Sequence, residues 1–290
     1  MAQFDDLKYK YNTLNSFGKI IVVNSIIFIV SILLYKLFKL GYIVNYVVLP
    51  ADFDIYLWQP WSVFTYGFIH TDFWHLVFNM LMLFYLSRVL VNLFRIKMVL
   101  NVYFLGVILG GALFMLIANL WPTNFFGAGG NLRGASAGVA ALLAFVGTYV
   151  GDSEIRPFNL FTIKWKYVAL IFVSIDLFRM LLGLNSGGYV SHIGGYILGY
   201  YYAKRIMSGV DIGSGFERLM DSVMSLFKTK SKTKMKTVHK TKRSKVSNTS
   251  PDKSNHQKQI DAILDKISKS GYESLTAKEK EFLFKQGHNH

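Results

Sequence analysis

The chain has 290 residues, 52% of them apolar and only 17% charged, with a formal net charge of +15. A soluble globule carries less apolar and more charged sequence, so the composition points to a chain that lives in lipid. The absence of cysteine excludes disulfides, thiolate metal sites and cysteine nucleophiles.

Residues 1–16 are polar, and no small-residue cleavage site follows the first apolar run, so no cleavable signal peptide is expected. A bilayer core of about 30 Å requires about 20 apolar residues as helix. Six runs are expected to span: Phe17 to Leu37, Phe73 to Phe94, Val99 to Leu120, Gly134 to Val150, Tyr167 to Leu184 and Gly188 to Met207. Runs this long and unbroken suit helices rather than barrel strands. The loop from Leu40 to Asp72 carries Pro50, Trp58, Pro60 and Trp61 and only acidic charges. Its tryptophans suit the membrane interface, so it is expected to form a structured cap in the outer leaflet.

Charge sets the expected orientation. With the N-terminus cytoplasmic, the inner side holds Lys8, Lys10, Lys19, Arg88, Arg95, Lys97, Arg156, Lys164, Lys166, Lys204 and Arg205. The outer side holds Lys36, Lys39 and Arg133. This asymmetry follows the positive-inside rule. Six spans then leave both termini cytoplasmic.

Polar groups at membrane depth are costly and mark function by default. The stretch from His70 to Asn79 places His75 and Asn79 four apart, hence on one helix face. Gly134-Ala135-Ser136-Ala137 opens the fourth run, and Ser191-His192 precedes Gly195 and Gly199 in the sixth. Taken singly, each has a structural reading. A span serine bonds its own backbone, and GxxxG is a close-packing face. Together they supply a chemistry. A serine hydroxyl needs a base to become a nucleophile, and imidazole serves near neutral pH. Ser136 and His192 form such a pair if their helices touch. Gly195 and Gly199 permit that approach toward the small surface of Ala137, Gly138, Ala140, Ala141 and Ala144. Asn79, His75 and the backbone N–H of Ser136 are candidate donors to an oxyanion. The glycines of Gly127-Ala128-Gly129-Gly130-Asn131 allow an irregular path that would place the serine below the membrane surface. Asp176 and Arg179, three apart in the fifth run, could pair on one helix face as a structural ion pair; the alternative is a third triad member or a substrate gate.

These residues resemble the rhomboid family of intramembrane serine proteases. His70, His75 and Asn79, the turn at Ser136, and the HxxGxxxG run from His192 match its motifs in order and in span, over roughly Trp58 to Met207. The resemblance implies an all-α, six-transmembrane-helix bundle with a Ser–His dyad and no third acidic member. Ser136 is then the nucleophile and His192 the general base. Asn79 and His75 help the oxyanion hole, His70 supports the outer loop, and Gly134, Gly195 and Gly199 shape the site. No cofactor and no metal are implied. The sequence departs from the family pattern at Ala137, where GxSG has glycine, at Ser62, where Trp-Arg is common, and at Ser191, where alanine is common.

Four regions are expected: a cytoplasmic N-terminus at 1–16, a six-helix protease core at 17–207, a basic flexible linker at 208–255 and a small cytoplasmic helical appendage at 256–290. From Lys204 onward, 19 Lys/Arg stand against 9 Asp/Glu, while the first 203 residues hold 13 against 8. Lys228 to Lys245 holds 9 Lys/Arg and no acid. Such a run tethered to a span suits anionic lipid better than nucleic acid, and no nucleic acid partner is expected. Ile260, Ile263, Leu264 and Ile267 have helical spacing, and Thr276 with Glu279 has capping-box spacing. This appendage resembles a tail seen on some bacterial rhomboid proteins.

The expected function is a multi-pass inner-membrane serine endopeptidase that cuts transmembrane or juxtamembrane segments of membrane proteins. The alternative is an inactive rhomboid-like protein that binds client helices. A transporter or channel would show a broken-helix repeat or a carboxylate relay, and neither is present in the sequence.

Overall fold

The computed structural model describes residues 2–120, 130–157, 160–184, 186–227 and 251–287. They divide into two units, 1–228 and 229–290. The first part of the glycine stretch, 127–129, and the basic run, 228–245, lie outside the described residues.

In the first unit, α1 (Ala2–Thr13) precedes α2 (Ser16–Ile32), which is capped by the Asn15 side chain accepting from Gly18 N at 2.8 Å. α2 runs on through a π-helical turn, Leu33–Leu37. The loop that follows is folded. It contains α3 (Phe53–Trp58) and α4 (Ser62–Thr65), with 3-10 turns at Gly41–Tyr46 and Tyr66–Phe68. Its ties are specific. The Trp61 ring N–H donates to Tyr46 O at 2.7 Å, and the fully buried Tyr66 hydroxyl donates to Val107 O at 2.6 Å.

Next come α5 (Phe73–Val91), α6 (Ile96–Leu120), α7 (Ser136–Tyr149), α8 (Trp165–Leu181) and α9 (Ser186–Met207). A two-stranded antiparallel hairpin, Glu154–Ile155 with Ile163–Lys164, joins α7 to α8. Three helices are long and apolar enough to cross a bilayer: Ser16–Leu37, Phe73–Val91 and Ile96–Leu120. Length and apolarity therefore mark three of the six expected spans as candidates among the described residues. α7 is apolar but has 14 residues, a rise of about 21 Å against a core of about 30 Å. α8 carries Lys166, Asp176 and Arg179, and α9 is rich in Gly, Ser and Tyr, which lowers their hydropathy.

The centre of the unit is the packing of α6, α7 and α9. In lipid no hydrophobic drive pulls helices together, so close contact between small residues must do it. A Cβ on Gly195 would strike the Ala137 carbonyl, and one on Gly199 the Ala141 carbonyl. The two pairs advance in step, so α9 and α7 run parallel. Gly110 faces Ala137 and Gly106 faces Ala141, so α6 runs antiparallel to them. This direction brings the start of α6 to the same end as the last turns of α7 and α9. Phe94, just past α5, meets Tyr149 at the end of α7 edge-on, with ring centroids 4.8 Å apart. Lys97 at the start of α6 pairs with Asp221 at 2.8 Å on α10 (Ser214–Phe227), which follows α9. Arg95 lies 3.6 Å from Asp211 and 3.7 Å from Glu217. Ser136 begins α7, so it lies at the opposite end from this ion-paired cluster.

The second unit contains α11 (Pro251–Ser270), a 3-10 turn at Tyr272–Ser274 and α12 (Ala277–Gly287). The capping box is formed and reciprocated. Thr276 N donates to Glu279 Oε2 at 2.7 Å, and Glu279 N donates to Thr276 Oγ1 at 3.4 Å. Lys266 reaches the same carboxylate at 3.0 Å, joining α11 to α12. The Thr276 backbone bond, then Lys266, then the Thr276 hydroxyl hold the Glu279 carboxyl down to about 2 from its ordinary 4.5. A depressed folded pKa gives stability that is present above 4.5 and lost as pH falls toward 2. An NMR titration of the Glu279 carboxyl in the full chain is expected to show a midpoint near 2. Thr276→Ala should move that midpoint up toward 4.5.

Candidate active site

α5 starts where Asp72 caps it, its carboxylate accepting from His75 N at 2.9 Å. That start puts His75 in the first turn and Asn79 one turn on, along the same face. α7 starts at Ser136 after a constrained approach. Leu132 pairs with Leu49 through two backbone bonds of 2.7 and 3.2 Å, and Gly134 N donates to Tyr66 O at 3.0 Å. Gly134 has φ +119, a conformation that L side chains rarely adopt. A Cβ there would also lie 2.8 Å from His75 Nε2 and 3.5 Å from Ser136 Oγ. The glycine thus keeps open a gap onto which the imidazole of His75 and the hydroxyl of Ser136 both face.

His70 is buried beneath this turn. Its Nε2 accepts from Ala135 N at 3.5 Å, a long bond, and its ring meets that of His75 edge-on at 5.1 Å. An accepting ring nitrogen carries no proton, so His70 acts as a neutral support for the backbone that delivers Ser136.

Ser136, His192, His75 and Asn79 line one cavity of about 790 Å³. The Asn79 amide nitrogen gives one N–H to the His75 carbonyl at 2.8 Å, and the group carries a second N–H. No hydrogen bond joins Ser136 to His192 among the described residues. The two share the cavity without a resting bond, and catalytic contacts often tighten only with substrate bound.

A family model described as Rhomboid domain matches residues 57–208, just over half of the chain. The chain belongs to the rhomboid family. A second model, described as a family of unknown function (DUF6576), matches residues 247–285 and so covers the helices of the second unit. No curated protein matches the chain.

The departures from the usual rhomboid motifs have visible settings. Ala137 is fully buried, and its extra methyl faces Gly110, where a side chain would collide with it. The methyl is thus taken up by α6 and not by the gap between His75 and Ser136. Ser191 is buried and its hydroxyl donates to Gly188 O at 2.7 Å. Ser62 is fully buried beside Trp61, which ties the loop between α2 and α5 together through Tyr46.

The expected pairing of Asp176 with Arg179 is corrected. The Arg179 guanidinium sits 5.7 Å above the Tyr189 ring. Asp176, 8% exposed, has its Oδ2 2.8 Å from His192 Nδ1 and accepts from the Tyr196 hydroxyl at 2.6 Å. An acidic side chain therefore stands at the imidazole, where the rhomboid resemblance implied none. Sequence spacing favoured Arg179 because it lies on the same helix. The available pointer was Tyr196, four residues after His192 and so on the same face of α9.

Proposed function

We propose that this rhomboid-family chain is an intramembrane serine endopeptidase. The observation that carries the reading is that Ser136, His192, His75 and Asn79, drawn from three helices, line one cavity at the end of the bundle away from the ion pairs of Arg95 and Lys97. The parallel packing of α7 and α9 through Gly195 and Gly199 supports the meeting of nucleophile and base.

In this mechanism His192 Nε2 takes the Ser136 hydroxyl proton as Oγ attacks the scissile carbonyl carbon. The oxyanion takes hydrogen bonds from the His75 ring N–H, the free Asn79 N–H and the Ser136 backbone N–H at the start of α7. Collapse breaks the C–N bond, and His192 gives its proton to the leaving amine. Water, deprotonated by His192, then releases the acyl group and restores the serine.

The proposed substrates are transmembrane or juxtamembrane segments of other membrane proteins, with small side chains before the cut and helices that unwind readily, as the family implies. The chain is a multi-pass inner-membrane protein in this reading, with six spans. α7 is held short because it starts below the outer surface. Both termini are cytoplasmic, and the basic tail meets anionic lipid on the side opposite the site. Reconstituted wild type should cleave a single-span reporter, and His192→Ala should not. Equal cleavage by the two would sink the dyad mechanism, and no cleavage by wild type would leave the rhomboid-like client binder as the better reading.

A further inference from the structure

We infer that Asp176, fixed by Tyr196, is a positioning residue that holds His192 with its proton on Nδ1 and its Nε2 bare toward Ser136. This rests on the protease reading above. The Asp176 Oδ2 lies 2.8 Å from His192 Nδ1 and 2.6 Å from the Tyr196 oxygen. His192 and Tyr196 are one turn apart on α9, so two donors from one helix face converge on a single carboxylate oxygen from α8. An ionised carboxylate only accepts. The imidazole nitrogen it meets must therefore carry the proton, and the other nitrogen is left as the base.

The surroundings leave little freedom. Tyr189 meets the His192 ring edge-on, with centroids 5.6 Å apart and planes at 88°. Arg179 is engaged over Tyr189 and pairs with the ring, not the carboxylate. When His192 accepts the serine proton it becomes an imidazolium carrying both protons. The carboxylate holds the Nδ1 proton and stabilises that cation, and the Nε2 proton passes on to the leaving amine. The carboxylate thus orients and stabilises without itself exchanging a proton, the logic of an acid–base–nucleophile triad. A merely structural Asp176 would tie α8 to α9, and its loss would lower stability and activity together.

The test uses the full chain in liposomes, with histidine labelled with ¹⁵N and a single-span reporter. In the wild type, NMR should show His192 protonated at Nδ1. Asp176→Asn should disturb that tautomer and lower kcat by about 10²-fold or more. KM should stay within about twofold, and the loss of kcat should persist after correction for the folded fraction, because substrate binding does not use the carboxylate. Asp176→Glu should recover part of the rate, and Tyr196→Phe should lose about tenfold, the size of a modest misorientation. Wild-type kcat and tautomer in Asp176→Asn, beside an inactive Ser136→Ala, would overturn this inference alone. An Asp176→Asn loss that vanishes once corrected for the folded fraction would overturn it too. Equal cleavage by wild type and Ser136→Ala would remove the protease reading, and this inference with it.

Discussion

Ser136→Ala is expected to lower cleavage of a membrane-embedded reporter by about 10³-fold or more, because members of a catalytic set act as a unit and the residual rate comes from binding and the oxyanion donors alone. The fold should be untouched. Ser136 is the first residue of α7, whose N-cap is Ala135 with no side-chain cap bond, and its neighbours are set by the backbone. Gly134 is held by Tyr66 and Leu132 by Leu49, and neither tie involves the serine hydroxyl. The measurement is kcat/KM in liposomes together with the unfolding midpoint in detergent. A large rate loss at constant midpoint separates chemistry from structure. The same loss with a falling midpoint would place Ser136 among the packing residues.

The second large effect is expected at Gly195. A Cβ there meets the Ala137 carbonyl at once and lies 3.1 Å from the Ala140 methyl. Neither obstacle is the free end of a flexible chain, so α7 and α9 must part. Gly195→Val should cost about 3 kcal/mol, the upper part of the range for forced overpacking. For a unit of this size that is a fall of about 10 °C in the unfolding midpoint. Activity should fall further than stability. Ser136 precedes Ala137 directly and His192 lies one turn before Gly195, so a separation of the two helices at this point is a separation of nucleophile from base. Gly215→Ala is the control. Its Cβ would meet nothing within 4 Å, and the change should stay within about 1 kcal/mol and favour the helix.

The parts of the site that the sequence exposes are those where lipid makes a residue type expensive. Ser136, His192, His75 and Asn79 stand out because polar groups in apolar runs need a reason. Gly195 and Gly199 are legible because their four-residue spacing fixes a shared face. The partners of these residues are less legible. Asp176 and His192 lie on different helices, and periodicity says only that Arg179 is on the same face as Asp176. Which of the two the carboxylate meets depends on how α8 is rotated against α9, which tertiary packing decides. The bond from Ala135 N to His70 is hidden for the same reason, since it joins a loop to a turn across the unit. Three of the six expected spans do not stand out by hydropathy, for a compositional reason. α9 is built largely from Gly, Ser and Tyr and α8 carries three charges, and both compositions lower the mean hydropathy by which a span is read from sequence. In the tail, Thr276 and Glu279 were legible because a capping box is a local device. The reach of Lys266 to Glu279 from the neighbouring helix was not.

The most direct test of the central claim is to treat the full chain in liposomes with a serine-reactive fluorophosphonate and map the adduct by mass spectrometry. Only a serine activated by a neighbouring base should react at an appreciable rate. The adduct is predicted on Ser136, and it should disappear in His192→Ala. An adduct on another residue, or undiminished labelling of Ser136 without His192, would contradict the account.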